Sequence, residues 1–234
     1  MTPFVSELIG TAVLITFGTS VVANVLLNKT KGNNSGLIVI GFGWAIAVFV
    51  GVFISAEASG AHLNPAVSVG LAIAGKFPWS DVPSYVLAQF LGAFIGSTLT
   101  YLMYKDHFSE TKDPSLKLAV FCNSPAINKP INNLITEVIA TFIFMLSILF
   151  IQKGEMKLGS LDALPVALLV LGIGLSMGGP TGYAINPARD LGPRIMHALL
   201  PIPEKGESGW NYAAIPVLGP LLGAILAGLL FSFL

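Results

Sequence analysis

Six long apolar runs constrain the fold of this chain more than any other feature of its sequence. They cover residues 4–27, 36–58, 82–104, 131–151, 161–178 and 210–234. Each run reaches or approaches the roughly 20 residues that an α-helix needs to cross about 30 Å of hydrocarbon. Lipid offers the backbone no hydrogen-bond partners, and continuously apolar runs lack the alternation of barrel strands. The sequence therefore predicts an all-α, polytopic membrane protein with six transmembrane helices.

The composition of the chain supports the same conclusion. Hydrophobic residues make up 54% and charged residues only 10% of its 234 residues, whereas soluble domains carry roughly 25% charged residues. The net charge is zero without a basic cluster, so nucleic acid is excluded as a partner and membrane lipid is expected around the helices. The N-terminal MTPFVSELIG lacks a basic region and holds Glu7, which predicts a retained first helix. Cys122 is alone, which excludes an intrachain disulfide.

The chain contains an internal repeat. Glu7 in SELIGTAVLI corresponds to Glu137 in TEVIATFIFM, and Tyr85 in PSYVLAQFLGAFIG corresponds to Tyr212 in WNYAAIPVLGPLLG. Each half reads as two helices, a short segment and a third helix. Three spans in each half place the halves in opposite orientations across the membrane.

These boundaries predict one domain, residues 1–234. The first half covers residues 1–104, and the second covers residues 131–234. The polar stretch 105–130 between them is too polar to insert, so we expect it to be an external connecting loop.

Two Asn-Pro-Ala tripeptides interrupt the apolar sequence at matching places in the repeat. They lie in GAHLNPAVSVG, residues 60–70, and in GYAINPARDLG, residues 182–192. Asn is a favoured helix N-cap and Pro a favoured first helical residue. About ten to thirteen residues follow each tripeptide before a break, roughly 15–20 Å of helix and half a membrane. One copy alone would read as an ordinary loop turn, but two matched copies predict re-entrant half-helices whose N-termini meet around a pore.

SGAHLNPAV and GYAINPARD together resemble the paired motifs of the aquaporin (major intrinsic protein) family, in its glycerol-facilitator branch, over essentially the whole chain. The resemblance implies a passive channel, not an enzyme, that conducts glycerol, other small uncharged solutes and some water while excluding protons and ions. It also implies a homotetramer in the cell membrane, one pore per subunit, and no cofactor.

The resemblance also places the N-terminus inside the cell. The positive-inside rule does not support this orientation, because the inner loops would hold only three lysines and the outer loops seven. The inner set is Lys76, Lys153 and Lys157, and the outer set is Lys29, Lys31, Lys105, Lys112, Lys117, Lys129 and Lys205.

The resemblance assigns the pore residues by position. The two motifs that it implies are Asn64, Pro65, Ala66 and Asn186, Pro187, Ala188. The two asparagine carboxamides are expected to donate to passing oxygens, and each half-helix N-terminus adds about half a positive charge that repels cations. A ladder of carbonyl acceptors is implied for Gly60, Ala61, His62, Leu63, Gly182, Tyr183, Ala184 and Ile185.

The resemblance places the selectivity filter at Trp44, Gly174, Tyr183 and Arg189. Gly174 is expected to leave room in the filter for the carbon side of glycerol. A charge within the membrane indicates function by default, although a local ion pair between Arg189 and Asp190 is an alternative. Glycerol facilitators usually have Phe at the position of Tyr183, so the phenol raises the alternatives of urea, a protonated hydroxy acid or water as the main solute.

The family resemblance also implies which residues hold the two re-entrant loops in place. Glu7 and Glu137 are expected to accept N–H bonds from the re-entrant loops, and Asp190 matches the glycerol branch. Alternatively, the two glutamates would form the proton relay of a coupled secondary transporter. A third alternative is a membrane scaffold with an occluded pore. The sequence contains no set of metal ligands and no Ser/His/Asp arrangement.

Overall fold

The computed structural model describes residues 1–151 and 159–234 and contains no strand within those ranges. A short 3-10 helix, Gly159–Ala163, precedes the seventh of its α-helices. In chain order the α-helices are α1 Pro3–Leu26, α2 Leu37–Ser59, α3 Pro65–Ile73, α4 Val82–Glu110, α5 Pro114–Phe121, α6 Pro130–Ile151, α7 Leu164–Met177, α8 Pro187–Leu199 and α9 Ile215–Ser232. The prediction of an all-α fold is confirmed.

Five of the described helices, α1, α2, α4, α6 and α9, are long and apolar enough to cross a membrane. The fifth predicted span, residues 161–178, forms a shorter apolar helix, Leu161–Met177. Its first residues belong to the 3-10 helix, which rises about 2 Å per residue and so lengthens the segment. The last predicted run starts at residue 210, but α9 starts at Ile215 because residues 210–214 form turns. Lys153 and Lys157 lie outside the described residues.

The segment predicted as the connecting loop, 105–130, contains more helix than its polarity indicates. Helix α4 continues to Glu110, whose carboxylate pairs with Lys29 at 2.6 Å. Helix α5 follows, because Asp113 caps it by accepting a hydrogen bond from Ser115 N at 2.8 Å and Pro114 occupies its first position. The segment thus forms two helical pieces over one end of the bundle.

Close contacts between helices hold each half together. Helix α1 packs against α2 and α4, and α6 packs against α7 and α9. A Cβ atom on Gly92 would lie 2.4 Å from Leu8 O, and one on Gly223 would lie 2.4 Å from Val138 O. Only glycine permits this approach, so these glycines allow helices within one protomer to pack closely.

The two short helices α3 and α8 tie the halves to each other. Helix α3 packs on α9 and α8 packs on α4, so each half-helix lies against the other half of the chain. A Cβ on Gly228 would lie 2.7 Å from Gly70 O, and one on Gly192 would lie 2.7 Å from Ala93 Cβ. With 9 and 13 residues, the helices reach roughly 14 and 20 Å, so neither spans a membrane.

Candidate functional site

A cavity of about 300 Å³ lies between the two halves. Its lining includes Trp44, Arg189 and both motif asparagines, and also Ile151 at the end of α6 and Asp162 in the 3-10 helix. Both re-entrant loops line it. Its lining residues from these loops and their half-helices are Gly60, Ala61, His62, Leu63, Asn64, Val67, Tyr183, Ala184, Ile185, Asn186 and Arg189.

The two asparagines cap their own helices and bond across to the opposite loop. Asn64 Oδ1 accepts from Ala66 N at 2.9 Å, and Asn64 Nδ2 donates to Ile185 O at 2.9 Å. Asn186 Oδ1 accepts from Ala188 N at 3.0 Å, and Asn186 Nδ2 donates to Leu63 O at 2.9 Å. Each amide nitrogen has one protein acceptor and two N–H groups. Its second N–H therefore remains for a molecule in the cavity.

The two re-entrant loops share one unusual backbone path. Positive φ angles occur four, three and one residues before each asparagine, at Gly60, Ala61 and Leu63 and again at Gly182, Tyr183 and Ile185. For non-glycine residues this conformation costs about 1–2 kcal/mol each. Among the described residues, no donor reaches the carbonyls of Gly60, Ala61, His62, Gly182, Tyr183 and Ala184. The carbonyls of Leu63 and Ile185 differ, because the opposite asparagines occupy them.

Glu7 supplies the hydrogen bonds that keep the first loop in this path. Its Oε1 accepts from His62 N at 2.9 Å and from Ser59 Oγ at 2.7 Å. Its Oε2 accepts from Leu63 N at 2.7 Å and from Gln89 Nε2 at 2.8 Å. Glu7 is fully buried, so these four donors replace the water that its carboxylate would otherwise need.

Glu137 holds the second loop in the same way, but it accepts three hydrogen bonds where Glu7 accepts four. Its Oε1 accepts from Ala184 N at 3.0 Å and from Thr181 Oγ1 at 2.6 Å. Its Oε2 accepts from Ile185 N at 3.1 Å. Both glutamates therefore hold backbone rather than line the cavity.

Three of the four expected filter residues meet at one end of the cavity. The Arg189 guanidinium lies over the Trp44 ring, 4.2 Å from its centroid, and Tyr183 lines the same end. Arg189 Nη1 donates to Phe121 O at a long 3.5 Å. No other side-chain hydrogen bond of Arg189 is present in the described ranges, so its remaining donors are free for a solute.

Gly174 differs from its expected place. It does not line the cavity, because the Tyr183 ring occupies the room beside it: a Cβ on Gly174 would lie 2.8 Å from Tyr183 Cζ. Gly178 makes room for the same ring, since its Cβ would lie 2.5 Å from Tyr183 Cδ1. The Tyr183 hydroxyl is buried without a hydrogen-bond partner. The phenol therefore adds no accessible hydroxyl to the cavity.

Asp190 pairs with Arg194, not with Arg189. Asp190 Oδ1 accepts from Arg194 Nη2 at 2.7 Å and from Nε at 3.0 Å, with both side chains fully buried. Arg194 was not among the residues predicted from the sequence. The spacing of four residues between Asp190 and Arg194 could have indicated the pair, because it places two side chains on the same helix face, whereas adjacent residues point apart.

The three histidines belong to separate environments. His62 lines the cavity, and its Nδ1 lies 3.0 Å from Ser68 Oγ. His197 Nδ1 lies 2.9 Å from Ser208 Oγ, and the His107 ring bonds Asn28 O at 3.0 Å. Within the described part of the chain, no group of three or more His, Cys, Asp or Glu side chains could hold a metal ion.

Apolar spanning helices, two re-entrant half-helices and a central cavity define a multi-pass membrane protein of the channel type. Residues 1–231 match the family model described as Major intrinsic protein. The chain belongs to this family.

Relatives of known name agree with this assignment. The chain is 52% identical over 234 residues to the "Probable glycerol uptake facilitator protein" of Thermotoga maritima, covering 100% of both chains. It is 50% identical over 232 residues to the "Glycerol uptake facilitator protein" of Streptococcus pneumoniae R6, covering 99% of both. The solved structure of the aquaglyceroporin from Plasmodium falciparum superposes with a TM-score of 0.86 at 32% identity, covering 98% of this chain and 94% of that one.

Proposed function

We propose that this protein is a passive channel for glycerol and other small uncharged solutes, which also passes some water and excludes protons and ions. The observation that carries the proposal is the cavity between the halves, where Asn64 and Asn186 each keep one N–H unbonded. Two relatives named as glycerol uptake facilitators, which are 52% and 50% identical to this chain, support the choice of glycerol as the solute.

The filter geometry fits a polyol. On one side the Arg189 guanidinium has free donors, which suit two neighbouring hydroxyls. Beside it, the rings of Tyr183 and of Trp44, which the guanidinium overlies, offer apolar surface to the carbon backbone. A neutral solute with hydroxyls along one edge satisfies both sides, whereas an ion would lose its hydration shell beside a buried positive charge.

The hydrogen bonds of the two glutamates argue against the coupled transporter. Glu7 accepts four hydrogen bonds and Glu137 accepts three, from loop N–H groups and neighbouring side chains. A proton relay would need carboxylates that are free to change partners as they titrate. The cavity argues against a scaffold with an occluded pore, because it contains space beside both motif asparagines and beside Arg189.

Proteoliposomes test the proposal. Under a glycerol gradient, light scattering is expected to show flux well above that of empty liposomes, linear in glycerol concentration and independent of proton or sodium gradients. Saturating flux that follows an ion gradient would establish a transporter instead, and a panel with urea and small protonated acids would rank the solutes.

We propose further that four copies assemble into a homotetramer in the cell membrane, each with its own pore, as the resemblance to the aquaporin family implies. Light scattering coupled to size exclusion in detergent would measure the mass. A monomeric mass under conditions that retain glycerol flux would contradict the assembly.

A further inference from the structure

Arg194 is the most completely bonded charged side chain near the filter, and it touches no solute path. It lies in α8, fully buried. Nε and Nη2 donate to Asp190 Oδ1, Nη2 also donates to Asn123 O at 2.9 Å, and Nη1 donates to Ser208 O and Gly209 O, both at 2.9 Å. All five N–H groups of the guanidinium thus have acceptors, which is the condition under which a buried charge is tolerated.

Asp190 and Arg194 both form hydrogen bonds with the backbone of Asn123, which follows α5. Asn123 N donates to Asp190 Oδ2 at 2.7 Å, and Asn123 O accepts from Arg194 Nη2. Both backbone polar groups of Asn123 are therefore fixed by one ion pair on α8. We name this arrangement, formed by Asp190 and Arg194, the α8 clasp.

The hydrogen bonds that hold the Asn123 backbone are connected to two filter residues, Arg189 and Tyr183. Phe121, two residues earlier, provides the carbonyl that accepts the single side-chain hydrogen bond described for Arg189. The Asn123 amide also packs against Gly182, where an added Cβ would lie 3.1 Å from its Nδ2, and Gly182 immediately precedes Tyr183. A shift of Asn123 would move the supports of both Arg189 and Tyr183.

The first half of the chain has no ion pair that corresponds to the α8 clasp. The positions that correspond to Asp190 and Arg194 by their distance from the motif asparagine are Ser68 and Ala72. Ser68 bonds His62 and Gln89 instead. The clasp therefore occurs only in the half that supplies two of the filter side chains, Tyr183 and Arg189.

We propose that Arg194 is a positioning residue of the filter: through Asp190 and the backbone of Asn123, it fixes the Phe121 carbonyl and the Arg189 guanidinium, and thereby the width between Arg189, Trp44 and Tyr183. The proposal rests on the proposed channel function. Its consequence is that weakening the clasp changes which solutes pass, not only how much folded protein is obtained.

Two variants test the clasp in proteoliposomes with glycerol, urea and water. Arg194→Lys keeps the charge, but one ammonium cannot reach the four acceptor groups that the planar guanidinium spans. Asp190→Asn keeps an oxygen for Arg194, while its NH₂ group cannot accept from Asn123 N. Each variant is expected to lower the glycerol-to-water flux ratio about fivefold, the factor that corresponds to about 1 kcal/mol. Asp190→Asn decides the question if Arg194→Lys does not fold.

Lys205→Met is the matched control. Lys205 Nζ also donates to backbone carbonyls, Ala198 O at 2.6 Å and Leu200 O at 2.8 Å, and neither of these hydrogen bonds involves residues 121–123. Its loss is expected to lower thermal stability and leave the flux ratio unchanged.

A purely structural clasp would lower all fluxes in proportion and keep the wild-type ratio in both variants, and this outcome would overturn the inference. A wild type that passes water but no glycerol would contradict the proposed function instead. In that case, the ratio to water of whichever solute the wild type does conduct decides the inference.

Discussion

The first re-entrant loop carries Ala61 where the second carries Tyr183, and the first half-helix carries Val67 where the second carries Arg189, although the members of each pair lie equally far from their motif asparagine. The backbones of the two loops nevertheless repeat the same three positive φ positions. Symmetry of the fold thus fixes where side chains can enter the cavity. The filter arises because only the second half places large and charged side chains at those positions.

The polar supports of the halves differ in a related way. Gln89 donates to Glu7 and Ser68 in the first half. The corresponding position of the second half is Pro216, which has no donor, and there an ion pair with Arg194 replaces the amide network. In the first half, neutral donors surround the glutamate, and the second half has in addition a charged pair beside its filter.

Replacing Glu7 or Glu137, the carboxylates that hold the two loops, is expected to have the largest effect, which is a loss of folding stability. Glu7→Leu removes the acceptor of four donors, of which Ser59 Oγ can still bond Ser55 O at 3.2 Å. Glu137→Leu removes the acceptor of three donors, and each buried donor without a partner costs about 1–3 kcal/mol. We expect both variants to lose at least about 3 kcal/mol, with Glu7→Leu at least as destabilised as Glu137→Leu. Thermal unfolding in detergent measures the difference.

Glu57→Leu provides the control, because Glu57 is an exposed carboxylate on α2 and its loss is expected to leave the unfolding temperature unchanged. A Glu137→Leu variant that is less stable than Glu7→Leu would contradict the comparison of the two supports.

Arg189→Val gives the second half-helix the residue of the first. A cation about 5 Å from the guanidinium meets roughly 3 kcal/mol of repulsion at an effective dielectric constant near 20. Without it, the leak of protons or ions is expected to rise about a hundredfold, while Asn64 and Asn186 still pass water. A pH-sensitive dye inside proteoliposomes measures the leak, and a variant as tight to protons as the wild type would refute the role of Arg189.

Gly174→Val likewise copies the first half, where Val52 stands twelve residues before its asparagine. The new side chain would collide with the Tyr183 ring, 2.8 Å from its Cβ position, and push the ring into the cavity. We expect glycerol flux to fall about tenfold, within the usual cost of overpacking, and water flux to fall less. Adding Tyr183→Ala, the residue of the first loop, is expected to restore glycerol flux. Failure of this rescue, or equal loss of both fluxes, would show that Gly174 does not act through Tyr183.

Tyr183→Phe is expected to have the smallest effect. The change removes a buried hydroxyl that lacks a partner, so stability should rise by up to about 1 kcal/mol, or about 2–4 °C in unfolding temperature. Glycerol flux should stay within about twofold of wild type, because the hydroxyl is not exposed to the cavity. A larger change in the ratio of glycerol to water flux would show that the hydroxyl does reach the solute.

The parts of the site that follow local rules could be predicted from the sequence. Asn64 and Asn186 were recognisable as N-caps because capping involves only residues within one turn. The half-helix lengths followed from the breaks after them. Helix α5 also carried a local signal, Asp113 followed by Pro114, but the polarity of the whole segment hid it.

The parts that depend on packing could not be predicted. The burial of the Tyr183 hydroxyl results from the space beside Gly174 and Gly178, which no pattern of spacing reports. The spacing of Asp190 and Arg194 predicts their pairing. The acceptors that complete the guanidinium, however, are backbone carbonyls, and that of Asn123 lies 71 residues earlier in the chain.

The crossed bonds of the two asparagines bear on how the protein is made. During synthesis, the N-terminal half leaves the ribosome and enters the bilayer first. Until its counterpart arrives, the Asn64 amide lacks its acceptor and the Leu63 carbonyl lacks its donor. Unmet polar groups at that depth are costly, so the first loop can reach its final form only after the second has been inserted, and closing the conduit is a late step of biogenesis that neither half can complete by itself.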